Sequence, residues 1–486
     1  MSARRSSAQN GPDGLTPSPT RHFVGRSSEL AALERLYAHR EAALVPIYGR
    51  RRVGKSELIL RFMEGKPAIY VVGKVAPAQL QRDELLLEAA RALDEPLLAE
   101  MRPTDWKQTL LRIVERHRGP KKLVIALDEF QWMVEASPEL PSVLQELWDL
   151  VLKKRSDVFL ILCGSYVGFM EREVLGSKSP LFGRRTSQIK LLPFSFAEAA
   201  EFHARWSLVD RAIAYFLTGG VPMYLLALDS AASVEQSIVR ALLNEHAPLF
   251  REPEFLLREE LRDVASYHGV LMAVAEGGAG SFAEIGARAS VPARSLPYYL
   301  DQLVALGYLG KRYPLTEAKP TARSVRYVVD DPLLRFWFRF VFPNLSFLHH
   351  AGPRATFTER VRPHLPSYFG SCFERLCREA LPAIYAEEGV TASFEVGSYW
   401  DRSVEIDVVG LRHDRRTDLG ECKWGTLRSL AAPVAELEAK VARYPNARNA
   451  TIGRRIFVRA RAGKAPPGVV VHDLEQLYAA AGAAAQ

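Results

Sequence analysis

The stretch VPIYGRRRVGKSELILRF, Val45 to Phe62, constrains this chain more than any other. An apolar strand runs into two glycines spaced G-x-x-x-x-G-K-S, and a helix-forming segment follows at once. A loop that wraps a phosphate must turn its backbone N–H groups inward without Cβ collisions, which Gly49 and Gly54 permit. Lys55 then reaches the β and γ phosphates, Ser56 offers a hydroxyl to Mg²⁺, and the helix N-terminus favours an anion. Gly49, Arg52, Val53, Gly54, Lys55, Ser56 and Glu57 are therefore the candidate nucleotide-contacting positions, and ATP with Mg²⁺ is the expected cofactor pair.

Two further apolar runs support a parallel sheet with one shared crevice. KKLVIALDEFQWM ends its strand in Asp128 and Glu129, as a buried parallel strand delivers carboxylates to its C-terminal edge. Asp128 is read as a Mg²⁺ ligand and Glu129 as the group that orients or deprotonates water. VFLILCGSYVGFM carries Ser165 at its end, suited to sensing a γ-phosphate. Downstream, Arg184 and Arg185 follow a glycine, and two readings stay open: a solvated pair, or a γ-phosphate contact made in cis or from a neighbouring copy. Gly219, Gly220 and Pro222 separate two helical stretches and predict a lid that closes over the nucleotide, with Pro222 against it.

The chain has 486 residues, 48% of them hydrophobic and 25% charged, which is room for roughly three domains. Lys+Arg 64 against Asp+Glu 56 leaves a modest excess of +8 that permits nucleic-acid contact without requiring it. Cys163, Cys372, Cys377 and Cys422 show no C-x-x-C spacing, so the pattern is neither a zinc site nor a disulfide framework, and a reducing cytoplasm is expected. The first 22 residues lack the apolar run of a signal peptide and read as a disordered tail. PLLRFWFRFVFPNLSF is broken by Arg335, Arg339 and Pro343 and is too short to span a bilayer, so it is read as a packed interdomain helix.

From about Leu261 the pattern predicts a small helical unit. SFAEIGARASVPARSLPYYLDQLVALGYLGKRYP reads as a capped helix, a turn, and a longer helix burying Leu296, Leu300, Leu303 and Leu306, with two short strands after it. That is the outline of a winged helix-turn-helix, whose Arg294, Lys311, Arg312, Arg323 and Arg326 face either nucleic-acid phosphates or protein neighbours. Further on, RSVEIDVVGLR and TDLGECKWGTL predict a β-hairpin. Strict alternation sets Glu405 and Asp407 on one face and Ile406 and Val408 on the other, with Glu421 and Lys423 opposite Cys422 and Trp424. Pairing would gather Asp407, Glu421 and Lys423, and Glu374 on an upstream amphipathic helix could join them. Such carboxylates suit Mg²⁺ or Mn²⁺ beside a lysine that helps activate water, although a solvated hairpin would show the same alternation.

FVGRSSEL, GRRRVGKS, LVIALDEF, ILCGS and GGVPMYL together resemble the archaeal-type ATPases, a branch of the AAA+ and STAND-related P-loop proteins. The resemblance implies a winged helix after the ATPase core and a C-terminal restriction-endonuclase-like domain, with the PD-(D/E)xK pattern carried by Glu374, Asp407, Glu421 and Lys423. The expected architecture is α/β throughout the core: 1–22 tail, 23–195 P-loop core with a parallel sheet, 196–260 helical lid, 261–332 winged helix-turn-helix, 333–365 connector, and 366–486 an α/β endonuclease-like domain. The first functional expectation is an ATPase whose nucleotide state regulates a tail acting on nucleic acid, with Glu129, Asp407, Glu421 and Lys423 as catalytic candidates and Ser56, Asp128, Glu374, Asp407 and Glu421 as metal candidates. The alternatives are a STAND-like signalling ATPase with an inactive tail, and a DNA-binding regulator without cleavage. DNA, protein partners and a second copy of the chain are the candidate partners, and a membrane is not.

Overall fold

The computed structural model describes residues 23–484 except 262, 317–320, 322–323 and 462. The 1–22 segment and Arg323, a candidate phosphate contact, lie outside the described residues.

Five strands, Ala43–Tyr48 (β1), Ala68–Val72 (β2), Leu123–Asp128 (β3), Val158–Gly164 (β4) and Ile189–Lys190 (β5), form one sheet in the order β2-β3-β4-β1-β5. All four ladders are parallel. β1, β3 and β4 are buried at every position, because each is a near-continuous apolar run that needs cover on both faces. One face packs Leu58, Phe62 and Phe159; the other packs Trp106, Leu127 and Leu162. In a parallel sheet all carboxyl ends share one edge, so the chain segments after β1, β3 and β4 emerge side by side.

The segment expected to form a lid holds helices Leu208–Thr218 and Pro222–Leu226, joined through Gly219 and Gly220 with φ of 60° and 72°. A Cβ on Gly220 would lie 1.9 Å from the Phe194 carbonyl oxygen, so only glycine fits there. Helices Val264–Gly277, Phe282–Arg288 and Leu296–Ala305 follow, then the antiparallel pair Leu309–Arg312 (β6) and Arg326–Val329 (β7). Ser281 and Glu284 cap the middle helix reciprocally, the arrangement that an S-x-x-E spacing favours. The aromatic segment does not form one long apolar helix: Phe336, Trp337, Phe338 and Phe340 are buried, and the Trp337 indole donates to the Phe250 carbonyl at 2.8 Å. Among the described residues no helix is long and apolar enough to cross a membrane.

A second sheet, ordered β12-β11-β10-β9-β8, holds Phe394–Trp400 (β8), Glu405–Arg412 (β9), Arg416–Lys423 (β10), Thr451–Val458 (β11) and Val469–Asp473 (β12). β9 and β10 pair antiparallel as the predicted hairpin, whereas β10, β11 and β12 run parallel. The expected alternation fails at one point. Between its pairings with Tyr399 and Gly397, β9 advances three residues, Ile406 to Val409, while β8 advances two. This bulge sends Ile406 to the face shared with Val409 and Leu411, and Val408 to the face covered by helix Leu365–Glu387. Asp407 sits at that irregularity.

One apolar core runs from the lid into the tail. Phe216 of the lid lies 5.2 Å from the Trp424 ring, and Phe196 lies 5.0 Å from Tyr478. The β6–β7 unit also meets the second sheet: the Leu315 amide donates to the Ser398 carbonyl at 2.7 Å, and Arg326 pairs with Glu405 at 2.7 Å while lying over Trp400. Lys311 pairs with Asp301 and Arg312 with Asp330, so three of the candidate phosphate-contacting cations hold intrachain carboxylates, and Arg294 is exposed.

Candidate functional site

The loop after β1 has the backbone a phosphate cradle requires. Arg52 and Gly54 adopt left-handed φ values of 71° and 88°, and Val53 is fully buried between them. Gly49 is required for a second reason: a Cβ there would lie 2.2 Å from the Leu191 carbonyl oxygen, where the chain leaves β5. Helix Lys55–Met63 opens directly behind the loop, with Glu57 exposed in its first turn. The Lys55 ammonium is buried and donates to the Gly49 and Arg50 carbonyls at 3.0 Å each, and burial lowers its pKa from the ordinary lysine value. Arg26, which the sequence reading passed over, braces the same loop by donating to the Val53 carbonyl at 3.0 Å and the Leu192 carbonyl at 2.7 Å. It also occupies the N-cap position of helix Ser27–Ala38, in a left-handed conformation without a side-chain cap.

The ends of β3 and β4 complete the site. Asp128 is buried and accepts from Ser56 Oγ and from the Tyr70 hydroxyl, both at 2.6 Å, and from the Glu129 amide at 2.8 Å. Burial works to raise its pKa, but the Cys163 thiol and then these donors hold it below the usual carboxylate value. Ser56 and Asp128 therefore stand together, as a shared cation would need, and Tyr70 on β2 fixes the carboxylate's orientation. Ser165 is placed differently from the expectation of a γ-phosphate sensor. Its hydroxyl donates to Glu129 Oε2 at 2.7 Å, and the Gln131 amide reaches both Glu129 and Ser165. The physical reason is proximity: β3 and β4 are neighbours, and an ionised carboxylate at the end of one is a strong acceptor for a hydroxyl at the end of the other.

In the tail, Glu374, Asp407, Glu421 and Lys423 converge from three elements. Asp407 Oδ2 accepts the Cys422 amide at 2.9 Å, one step beyond the last β9–β10 pair, so the carboxylate caps an open end of the ladder. Lys423 Nζ lies 2.8 Å from Glu421 Oε1, and Lys440, from helix Ala431–Val441, lies 2.6 Å from Oε2. Glu436 pairs with both lysines, and Arg378 reaches the Asp407 carbonyl. The expected cation set is thus not assembled as such. Two ammonium groups take both oxygens of Glu421, and among the described residues no group of three or more His, Cys, Asp or Glu side chains is placed to hold a metal ion.

Residues 23–228 match a family described as an ATPase domain predominantly from Archaea. Residues 337–434 match a second family, described as "Archaea bacterial proteins of unknown function". An uncharacterized protein of Methanocaldococcus jannaschii is 28% identical over 410 residues, covering 84% of this chain and 88% of its own. An uncharacterized ATP-binding protein of the same organism is 52% identical over 44 residues, 9% of this chain and 75% of its own. Among solved structures, the Walker-type ATPase of Pyrococcus abyssi is 19% identical with a TM-score of 0.48, over 67% of this chain and 99% of that one. The ORC2 protein of Aeropyrum pernix is 17% identical with a TM-score of 0.47, over 68% and 98%.

Arg184, read as either a solvated residue or a γ-phosphate contact, has intrachain partners. Its guanidinium forms a forked pair with Asp149, with distances of 2.7 to 3.0 Å, and also donates to the Pro180 and Phe182 carbonyls. A planar guanidinium and a carboxylate suit such a forked pair. Arg185 donates to the Leu175 carbonyl at 3.2 Å. Pro222 lies beside the loop: a Cβ built on Gly54 would be 3.8 Å from its ring. Tyr70, Gln131, Arg26 and Lys440 are the site residues that sequence reasoning missed. For Lys440 a signal existed, an i, i+4 Glu436–Lys440 pair, but nothing local says that this pair faces β10.

The tail cluster carries a pH prediction. Burial, then the nearby Glu374 charge, raises the Asp407 pKa to about 6, and burial likewise raises that of Glu374. A carboxyl with a raised folded-state pKa favours folding below its unfolded value near 4 and loses that contribution as pH rises through 6. Asp407→Asn keeps an acceptor for the Cys422 amide and removes the charge, so it should stabilise the protein at pH 8 by about 2 kcal/mol and change little at pH 4. Thermal melts of the two proteins at both pH values check this, and an equal melting temperature at pH 8 counts against it.

Proposed function

We propose that this protein binds and hydrolyses ATP at the carboxyl edge of the first sheet and uses its nucleotide state to regulate the tail. The observation that carries this reading is the convergence of Lys55, Ser56, Asp128 and Glu129 around one loop, with Ser165 bonded to Glu129. Lys55 would exchange its two loop carbonyls for phosphate oxygens. Ser56 and Asp128 supply the adjacent hard oxygen donors that Mg²⁺ accepts, and the ion would neutralise charge on the β and γ phosphates. Glu129, held by Ser165 and Gln131, would orient the attacking water and take its proton.

A second reading makes the tail a nuclease on nucleic acid, reached through a winged helix. The gathering of Glu374, Asp407, Glu421 and Lys423 favours it; the lysines seated on Glu421 weigh against a cation in the present arrangement. Turnover of ATP by the full chain, with and without DNA, and cutting of DNA with Mg²⁺ or Mn²⁺ test both readings. Turnover without cutting under either metal leaves the tail as a scaffold. Cutting that Asp407→Asn abolishes establishes the nuclease, and absence of turnover sinks the ATPase reading.

A further inference from the structure

Three consecutive arginines fill the first three of the four variable positions of the phosphate loop, and each lies against a carboxylate beyond the sheet. Arg50 meets Asp331, Arg51 meets Glu259, and Arg52 meets Glu252. Glu252 and Glu259 stand on helix Glu252–Glu260, while Asp331 caps helix Pro332–Phe336 by accepting the Leu334 amide at 2.9 Å. Glu252 is 3% exposed and Asp331 1% exposed. A carboxylate so buried is costly unless a cation meets it, and the loop arginines are the cations that do. Glu252 also accepts from the Tyr224 hydroxyl at 3.1 Å, and Tyr224 belongs to the lid helix whose Pro222 faces Gly54.

The pairing bears on the loop's own backbone. Arg52 holds a φ of 71°, a left-handed conformation that a residue with a Cβ keeps only where its surroundings enforce it. Its guanidinium lies against Glu252, which puts helix Glu252–Glu260 beside the loop. Arg50 points the other way along the chain. It lines a cavity of about 70 Å³ together with Arg335, Cys372 and Arg375, the last two on the helix that carries Glu374.

We propose that Glu252, Glu259 and Asp331 are positioning residues for the phosphate loop, and that through them nucleotide occupancy and the placement of the tail bias each other. The inference rests on the ATP reading above and adds the route by which that site reaches the tail. The carboxylates hold the guanidinium groups and through them the loop, so a loop already set by these pairs meets a polyphosphate in its binding conformation. Any strengthening of the Arg50–Asp331 pair by nucleotide must be matched by an equal strengthening of nucleotide affinity by that pair, since linkage is reciprocal.

Glu252→Gln keeps the size and the Tyr224 hydrogen bond while removing the charge. Calorimetry with a non-hydrolysable ATP analogue should show binding weakened about tenfold, and the exchanged pair Arg52→Glu with Glu252→Arg should recover part of it. A merely structural role would lower the melting temperature and leave the affinity of the folded protein unchanged. Hydrogen exchange across 252–261 and 331–341 should differ with and without the analogue in the parent, and the difference should vanish in Arg50→Gln/Arg51→Gln/Arg52→Gln at saturating analogue. Parental affinity in Glu252→Gln, or exchange in both segments indifferent to nucleotide, overturns the proposal. Lys55→Ala run beside them separates the two readings: if it too binds like the parent, the ATP site is wrong and not merely its clamp.

Discussion

Glu129→Gln is expected to cut ATP turnover by about a hundredfold or more while leaving ATP affinity close to that of the parent. The amide matches the carboxylate in size and can still accept the Ser165 hydroxyl, now bonded at 2.7 Å. What it cannot do is take a proton from water or draw one into line with a full negative charge. Glu129 also holds a left-handed φ of 48°, which glutamine adopts no less readily than glutamate, so the loop geometry should persist. Steady-state turnover paired with calorimetry checks the result. A variant that turns over ATP at the parental rate removes Glu129 from the reaction.

Lys55→Ala should weaken ATP binding by roughly tenfold to a hundredfold, from the loss of a charge-assisted phosphate contact worth about 1.5–3 kcal/mol. Lys55 has a structural task as well, since its ammonium bonds the Gly49 and Arg50 carbonyls. Truncation therefore exposes two acceptors that the buried loop had satisfied. A melt without nucleotide distinguishes the effects: a lost phosphate contact leaves the melting temperature nearly unchanged, whereas a collapsed loop lowers it. Unchanged affinity by calorimetry counts against the phosphate-loop assignment.

The two sites differ in how much of each was legible. Gly49, Gly54, Lys55 and Ser56 are local in sequence, and their spacing alone defines a loop geometry; Asp128 and Glu129 end an apolar run that could only be a buried strand. Ser165 was legible as a strand-end polar group but not as the partner of Glu129, because that bond depends on β4 lying beside β3. Arg184 shows a partner of the same long-range kind. Its neighbours in sequence suit a phosphate contact, yet the carboxylate that holds it, Asp149, lies thirty-five residues away. In the tail, period-two alternation correctly grouped Glu421 with Lys423 and failed for Ile406 and Val408, since a bulge inserts a residue that periodicity cannot register.

What this sequence determined by itself is whatever depends on short-range covalent geometry. That covers the glycine-bounded loop, the fully apolar strands that demand cover on both faces, the reciprocal cap at Ser281 and Glu284, and the hairpin joining β9 to β10. Tertiary structure decided which charges meet. The guanidinium groups of Arg50, Arg51 and Arg52 find acceptors two hundred or more residues downstream, and Lys440 reaches Glu421 from a helix packed over the sheet. A long charged side chain can pair with any carboxylate that packing brings within a few ångströms. Its partner is therefore chosen by the shared core that runs from Phe196 to Tyr478, and no local pattern along the chain encodes that choice.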